Sequence, residues 1–421
     1  MQRKVMAAAA GAATLASLLT GLASPASAAS TTTFTYWTSG FSTQEINTLD
    51  AAFHKAYPQY QAQGQYITKS DEYLPKVIAA LKSGTYPTVL TDQNPSDLPL
   101  IASSGKLLAL NGKLTALTNQ LYPGIKDSLF YRGRQLGMAL SGVGDIALFY
   151  NKTDFAQAGI KSPPKTWAQV AADAKKLTDP SAHRWGFYVP LGDAEWISYD
   201  WEPVLWGFGG NLLNANETKA TFDSPAGVAA LSTWASMIKD KVAPATSFAA
   251  DGNFDGPTAF SSNAVAMITD GPWLEGEVPK GLDYAVAPYP AGPKGPSTNI
   301  GIGVVALMKT TPAQDAAGLA FIKFLASPKQ GAYLASQNGG LPDSPAQLNQ
   351  PLLKAAEAKP WYNVFAEEEK YGKVRPISPY YNAVSEDLWT AINQALTGKV
   401  SPSQALAAAA KQADQVLAKG A

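Results

Sequence analysis

The chain has 421 residues, of which 46% are hydrophobic and 16% charged, long enough for two cores of ordinary size and globular in composition. Its 33 Lys plus Arg balance 33 Asp plus Glu, so the clustered positive charge that a nucleic-acid partner needs is not expected. It has no cysteine, which excludes disulfides, thiol nucleophiles, thiolate metal sites and a lipid-modified N-terminal Cys.

The first 28 residues read as a secretory signal peptide. Arg3 and Lys4 precede an apolar Ala/Leu-rich stretch from Val5 to about Leu22. Pro25 then precedes Ala26-Ser27-Ala28, an A-x-A cleavage pattern. Cleavage there leaves 421 − 28 = 393 residues. The alternating run Thr33-Phe34-Thr35-Tyr36-Trp37 predicts a first strand. Ser42 and Glu45 stand at capping-box spacing before Ile46, Leu49, Phe53 and Tyr57, and Pro58 ends that helix. A strand around Tyr60–Ile67, a helix over Tyr73–Leu81 and a strand at Thr88–Leu90 follow. This β-α-β-α-β order predicts α/β layering with a largely parallel sheet. The alternation restarts after about Gly142: strand Ile146–Tyr150, helix Thr166–Leu177, strand Trp185–Val189, then short strands at Ala264–Ile268 and Val304–Met308. The end, Glu386–Leu396 and Pro402–Leu417, is helical and Ala-rich. Two α/β lobes fit this pattern better than one.

Enzyme signatures fail. His54 and His183 are the only histidines, neither with a metal ligand at helical spacing, and no G-x-S-x-G, Walker loop or H-E-x-x-H occurs. Asp251, Asn253, Asp255 and Gly256 imitate an EF-hand start, but Ser262 stands where the bidentate carboxylate belongs. No metal and no cofactor is expected. The aromatic content says more. Trp196, Trp201 and Trp206 share one stretch with Glu195, Asp200 and Glu202, Trp273 follows Asp270-Gly271-Pro272, and Trp37 ends the first strand. Indoles beside carboxylates suit a sugar, whose flat faces pack on aromatic rings and whose hydroxyls seek charged partners.

Five stretches carry a family resemblance: FTYW (34–37), LPKVIAALKSGTYPTVL (74–90), DIALFYNKTDFAQAGIKSPPKTWAQVAADAKKLT (145–178), AFSSNAVAMITDGPW (259–273) and AGLAFIKFLASPKQGAYLASQNGGLP (317–342). In these the chain resembles the extracellular solute-binding proteins of family 1, the group with maltose/trehalose- and glycerol-3-phosphate-binding proteins. The resemblance implies a two-lobed periplasmic-binding-protein fold (type II) with a ligand cleft between the lobes, residues 29–142 and 287–326 forming the first and 143–286 and 327–421 the second. It implies no catalysis, a small-molecule carbohydrate as ligand, hinge closure, delivery to the membrane subunits of an ABC permease, and a monomer. Without a Cys for a lipid anchor, such a protein is expected in the periplasm, release to the medium being the alternative.

Site residues carried over by the resemblance are Trp37, Asp71, Gln93, Asn94, Asp145, Asp270, Trp273, Gly301, Gly303 and Arg375. Arg375 and Asp71 are expected to bond ligand hydroxyls. Glu195, Trp196 and Trp201 enter on their chemistry alone. The serines and tyrosine of the glycerol-3-phosphate type are largely replaced, with Ser70, Gly144 and Gly340 near those places. Asp71, Asp145, Glu195 and Asp270 would repel a phosphate. A glycerol phosphodiester or polyol remains the alternative ligand, and a secreted glycosidase using two carboxylates the remote one.

Overall fold

The computed structural model describes residues 31–67, 70–192, 195–244, 256–337 and 341–419, with the side chains of 70–71 and 141–144 left aside. The signal segment, Asp251–Asp255, Gly340 and the Ser70 and Asp71 side chains therefore lie outside what is described.

Local chemistry sets the first elements. In the strand Thr32–Thr38, Phe34 and Tyr36 are buried while Thr33 and Thr35 face out, as the period of two requires. Ser42 closes a capping box on Glu45 at the head of the helix Thr43–Ala56, which buries Ile46, Leu49 and Phe53. Thr166 caps Trp167–Leu177 through the Gln169 N–H, and Ser401 closes a second capping box ahead of Pro402–Leu417.

Two sheets result. In the larger, Thr32–Thr38 lies parallel to Tyr60–Tyr66 on one side and to Val89–Gln93 on the other. The long strand Thr298–Leu307 runs antiparallel to both Val89–Gln93 and Met138–Asp145. The smaller sheet sets Ala147–Asn151 between Met267–Asp270 and Tyr284–Ala287, all antiparallel. The expected parallel arrangement thus holds for these first three strands and for the short pairing of Gly372–Lys373 with Thr298–Asn299, the other pairings of both sheets being antiparallel. The segment expected as strand Trp185–Val189 is irregular. Trp185 donates to the Ala264 carbonyl and Tyr188 to that of Met267, but Gly186 and Phe187 both donate to the single carbonyl of Val242, which interrupts a ladder.

Two large clusters of buried residues form, the first centred on the larger sheet but reaching Phe149 and Ile268 of the smaller, the second on the other face of the smaller sheet. In the first, Phe321 of the helix Pro312–Leu325 meets Phe34 and Phe53, with ring centroids 5.6 and 5.0 Å away. In the second, Trp167 meets Phe187 and Tyr289, both at 5.6 Å, and Trp234 at 6.3 Å. The C-terminal helices Tyr381–Leu396 and Pro402–Leu417 pack on each other and over this second core. The helix Pro328–Gln337, expected in the second lobe, packs on Met138–Asp145; the chain rejoins the smaller sheet with the helix Pro360–Glu368.

The lobes are joined where three segments lie side by side. Asp145 pairs with Ile300, and Gly372–Lys373 pair with Thr298–Asn299. The Thr298 hydroxyl accepts from the Ile146 N–H at 3.1 Å and donates to the Ile146 carbonyl at 2.8 Å. One side chain thereby ties two crossovers together. No described helix is long and apolar enough to cross a membrane.

Candidate functional site

Ligands of open α/β sheets bind beyond the carboxyl ends of the strands. In the larger sheet that edge carries Trp37, Gln93 and Asn94. Trp37 is half-buried, and its carbonyl accepts from Tyr73 Oη (2.7 Å) and Thr91 Oγ1 (3.1 Å). Gln93 is buried, and its amide oxygen has no partner. The edge is braced by Asp92, whose backbone is left-handed at φ 57°, a conformation Asp tolerates better than most residues. Its Oδ2 accepts from the hydroxyls of Thr38 and Thr91, both at 2.6 Å, and from the Gly40 N–H at 3.2 Å. Sequence reasoning missed Asp92, because no spacing pattern marks a side chain that bonds back across two strand ends.

The second lobe offers an aromatic wall. Pro272 confines Gly271 to an extended conformation, φ −90° and ψ 175°. Gly271 is thus not there for an unusual backbone. A Cβ on it would lie 2.2 Å from the Trp273 ring, so the glycine lets the indole fold back over the turn. Trp273 is 37% exposed. Its ring meets Trp196 at 6.1 Å and 75°, and Trp196 meets Tyr199 at 5.4 Å. Edge-to-face pairing of this kind holds an indole in place while leaving a face free.

The wall ends in a charged group that bridges the lobes. Arg375 is 7% exposed and sits over the Tyr199 ring at 4.7 Å. Its Nη1 donates to Glu195 Oε1 at 2.8 Å, and its Nη2 donates to Asn94 Oδ1 at 2.7 Å. Glu195 heads the helix Glu195–Gly207 and keeps a third of its side chain exposed. It also accepts from Tyr381 Oη at 2.6 Å and from the Ser385 hydroxyl. Tyr381 and Ser385 were not foreseen; the only signal was an aromatic pair six residues after Arg375.

Four of the expected residues are buried. Trp201 is fully buried in the second core, because eleven of the thirteen residues of its helix are buried. Gln93, as described above, turns inward. Asp270 is 3% exposed and spends Oδ1 on the Gly271 N–H at 2.7 Å. It shapes the turn under Trp273 and faces no solvent. Asp145 is wholly buried at the first crossover, with neither carboxyl oxygen partnered among the described residues; burial, then Glu369 and Glu368, push its carboxyl well up. Gly301 and Gly303 line the strand as half-buried positions. A Cβ on Gly303 would make only ordinary contact, 3.6 Å from the Leu140 carbonyl, so sterics do not explain that glycine.

Glu202, about two turns along the helix from Glu195, is fully buried, and burial raises its carboxyl to about 8. Its Oε1 lies 3.1 Å from Tyr381 Oη. The Tyr381 hydroxyl is the donor and is shared between Glu195 and Glu202, the Glu195 contact being the shorter. An acid with a raised folded pKa holds its proton more tightly when folded. Its contribution to stability is therefore lost as pH rises from the unfolded value, 4.5, through about 8. Thermal melts of Glu202→Gln against the parent should show the variant gaining relative stability from pH 5 to pH 8. A constant difference would mean that Glu202 is ionised throughout.

The comparisons with known proteins agree with this geometry. Over 278 residues the chain is 25% identical to a binding protein of Brucella abortus (strain 2308), covering 65% of this chain and 66% of that one. It is 25% identical over 425 residues to the sn-glycerol-3-phosphate-binding periplasmic protein UgpB of Escherichia coli O1:K1 / APEC, 92% of each. Among solved structures, the Listeria monocytogenes ABC substrate-binding protein Lmo0181, in complex with cycloalternan, superposes with TM-score 0.83 at 23% identity over 92% of this chain and 99% of that one; at that identity the likeness shows the fold. An ABC transporter solute-binding protein of Thermotoga lettingae bound with α-D-tagatose gives 0.80 at 26% identity, over 91% and 99%. Maltose-bound T. maritima MalE3 gives 0.81 at 25%, over 91% and 99%. The family profile of bacterial extracellular solute-binding proteins matches residues 28–332. The chain, two lobes joined by three paired crossovers with an aromatic wall at their junction, belongs to the bacterial extracellular solute-binding proteins.

Proposed function

We propose that this protein captures a neutral carbohydrate, a mono-, di- or oligosaccharide, between its lobes and delivers it to an ABC-type permease. The observation that carries the reading is the half-open Trp273, held edge-to-face by Trp196, leading along one wall to the exposed third of Glu195. A sugar needs that pairing of a flat apolar face and a charged acceptor. The tagatose- and maltose-bound relatives support the choice of ligand. Trp37, Asp71, Asn94, Gly303 and Arg375 complete the proposed surroundings, Asn94 and Arg375 by joining the lobes. The protein acts without catalysis, as a monomer, in the periplasm after loss of residues 1–28.

A phosphorylated ligand, as the name of the E. coli relative states for that protein, fits less well. Both terminal nitrogens of Arg375 are engaged, by Glu195 and Asn94, and a phosphate would have to displace the carboxylate. A thermal-shift panel of sugars, polyols and sn-glycerol 3-phosphate, run in EDTA, tests both readings. A ligand at 100 times its Kd stabilises by about 2.7 kcal/mol. One or more sugars should raise the melting temperature unaltered and undiminished by EDTA. Stabilisation by glycerol 3-phosphate alone, dependence on added calcium, or release of hydrolysis products would each contradict the proposal.

A further inference from the structure

A cavity of about 330 Å³ lies apart from the Trp273–Glu195 wall. One side of it is Tyr122 with Leu341 and Leu348. Tyr122 precedes the strand Met138–Asp145 of the larger sheet, and its N–H donates to the Asp343 carbonyl at 3.0 Å, which ties the segment of Leu341 to that side. The other side is Tyr362, Asn363 and Glu369, from and just after the helix that packs on the smaller sheet. The cavity therefore opens where the two lobes meet.

Its chemistry is unbalanced. No Lys, Arg or His is among its lining residues. Glu357, at its rim, is matched by Lys354 at 3.2 Å. Glu369 has neither hydrogen bond nor ion pair among the described residues. Tyr362 is 5% exposed, and its hydroxyl likewise has no partner among them. The Tyr362 hydroxyl is not among the side-chain atoms cut off from solvent, and Glu369 is half-buried, so both present unmatched polar groups to the cavity. In the cleft, by contrast, Glu195 is matched by Arg375.

We propose that this cavity is a second ligand site, and that it takes a small organic cation, a protonated amine or quaternary ammonium group. The Glu369 carboxylate supplies the opposite charge, and the Tyr122 and Tyr362 rings supply aromatic surface that attracts a cation. Because its walls come from different lobes, an occupant favours the lobe arrangement that gives the cavity this width. The proposal does not rest on the carbohydrate reading.

Proton linkage gives it a signature. Burial raises the Glu369 carboxyl to about 7. The groups facing it are Tyr122, Tyr362 and Asp145, all acidic, with Glu357 at the rim. None of them supplies a positive charge. A cation favours the ionised form, so its affinity should rise from pH 6 to pH 8.

Calorimetric titration of the full chain with choline chloride tests the site, with 3,3-dimethylbutan-1-ol as the uncharged isostere. Choline should bind, the alcohol should bind at least about tenfold more weakly, and Glu369→Gln should weaken choline by about tenfold or more. Trp273→Ala should leave choline binding unchanged. The proposal fails if choline gives no heat up to about 50 mM, if the alcohol or a neutral sugar binds there as well as choline, or if Trp273→Ala abolishes choline binding while Glu369→Gln does not. Should Glu369→Gln melt markedly lower than the parent, the wild-type pH profile decides: affinity flat from pH 6 to pH 8 overturns the assignment.

Discussion

Replacing Trp273 by Ala should weaken carbohydrate binding by about 2–4 kcal/mol, the range of an aromatic anchor, while the melting of the ligand-free protein falls little. The asymmetry comes from where the indole lies. Trp273 is more than a third exposed and lies outside both cores. Within the protein its ring has the edge-to-face contact with Trp196, worth about 0.5–1.5 kcal/mol. A ligand ring covering its open face would bury most of the rest. A core tryptophan behaves in the opposite way: its loss costs about 3–5 kcal/mol of stability. Titration calorimetry and ligand-free melting of this variant separate the two. A large drop in melting temperature with near-native affinity would show that Trp273 packs and does not bind.

Arg375→Ala should behave differently, and mainly as a stability variant. The guanidinium joins Asn94 of the first lobe to Glu195 of the second. Removing it leaves Glu195 beside Glu202 with no counter-charge. Breaking a buried pair costs about 3–5 kcal/mol; since a third of the Glu195 side chain is in water, about 3 kcal/mol is expected. Denaturant unfolding should show that loss, and adding Glu195→Gln to the variant should recover part of it. An Arg375→Ala protein that unfolds like the parent, with only its affinity reduced, would return Arg375 to the direct ligand contact that its sequence position suggested.

How legible these features were in the sequence depended on how local their causes are. The capping boxes at Ser42 and Ser401 involve residues three apart, so spacing alone located both helix starts. The Asp270–Trp273 turn was legible for the same reason, although its glycine proved to answer a ring contact and not a backbone angle. Trp201 misled because carboxylates at Asp200 and Glu202 made its helix look exposed. Those acids are buried instead. Asp200 accepts from Thr269 Oγ1 at 2.8 Å and is raised to about 7 by burial, and Glu202 is held neutral in the same way. No single-residue property announces that an acid will find such partners. The Arg375–Glu195–Tyr381 group was illegible as a group, since its members are 180 and 186 residues apart and meet only through the packing of two helices.

The central claim, capture by closure around a ligand, turns on the three crossover segments paired at Asp145–Ile300 and Thr298–Gly372. A ligand that touches both lobes favours the closed arrangement by its differential affinity, and hinge bending is the mode for which periplasmic binding proteins are a standing example. Small-angle X-ray scattering of the ligand-free protein, and of the protein saturated with a sugar identified by thermal shift, reads this directly. The radius of gyration should fall on saturation; a sugar whose binding heat is measured in the same sample but which leaves the scattering profile unchanged would contradict the account.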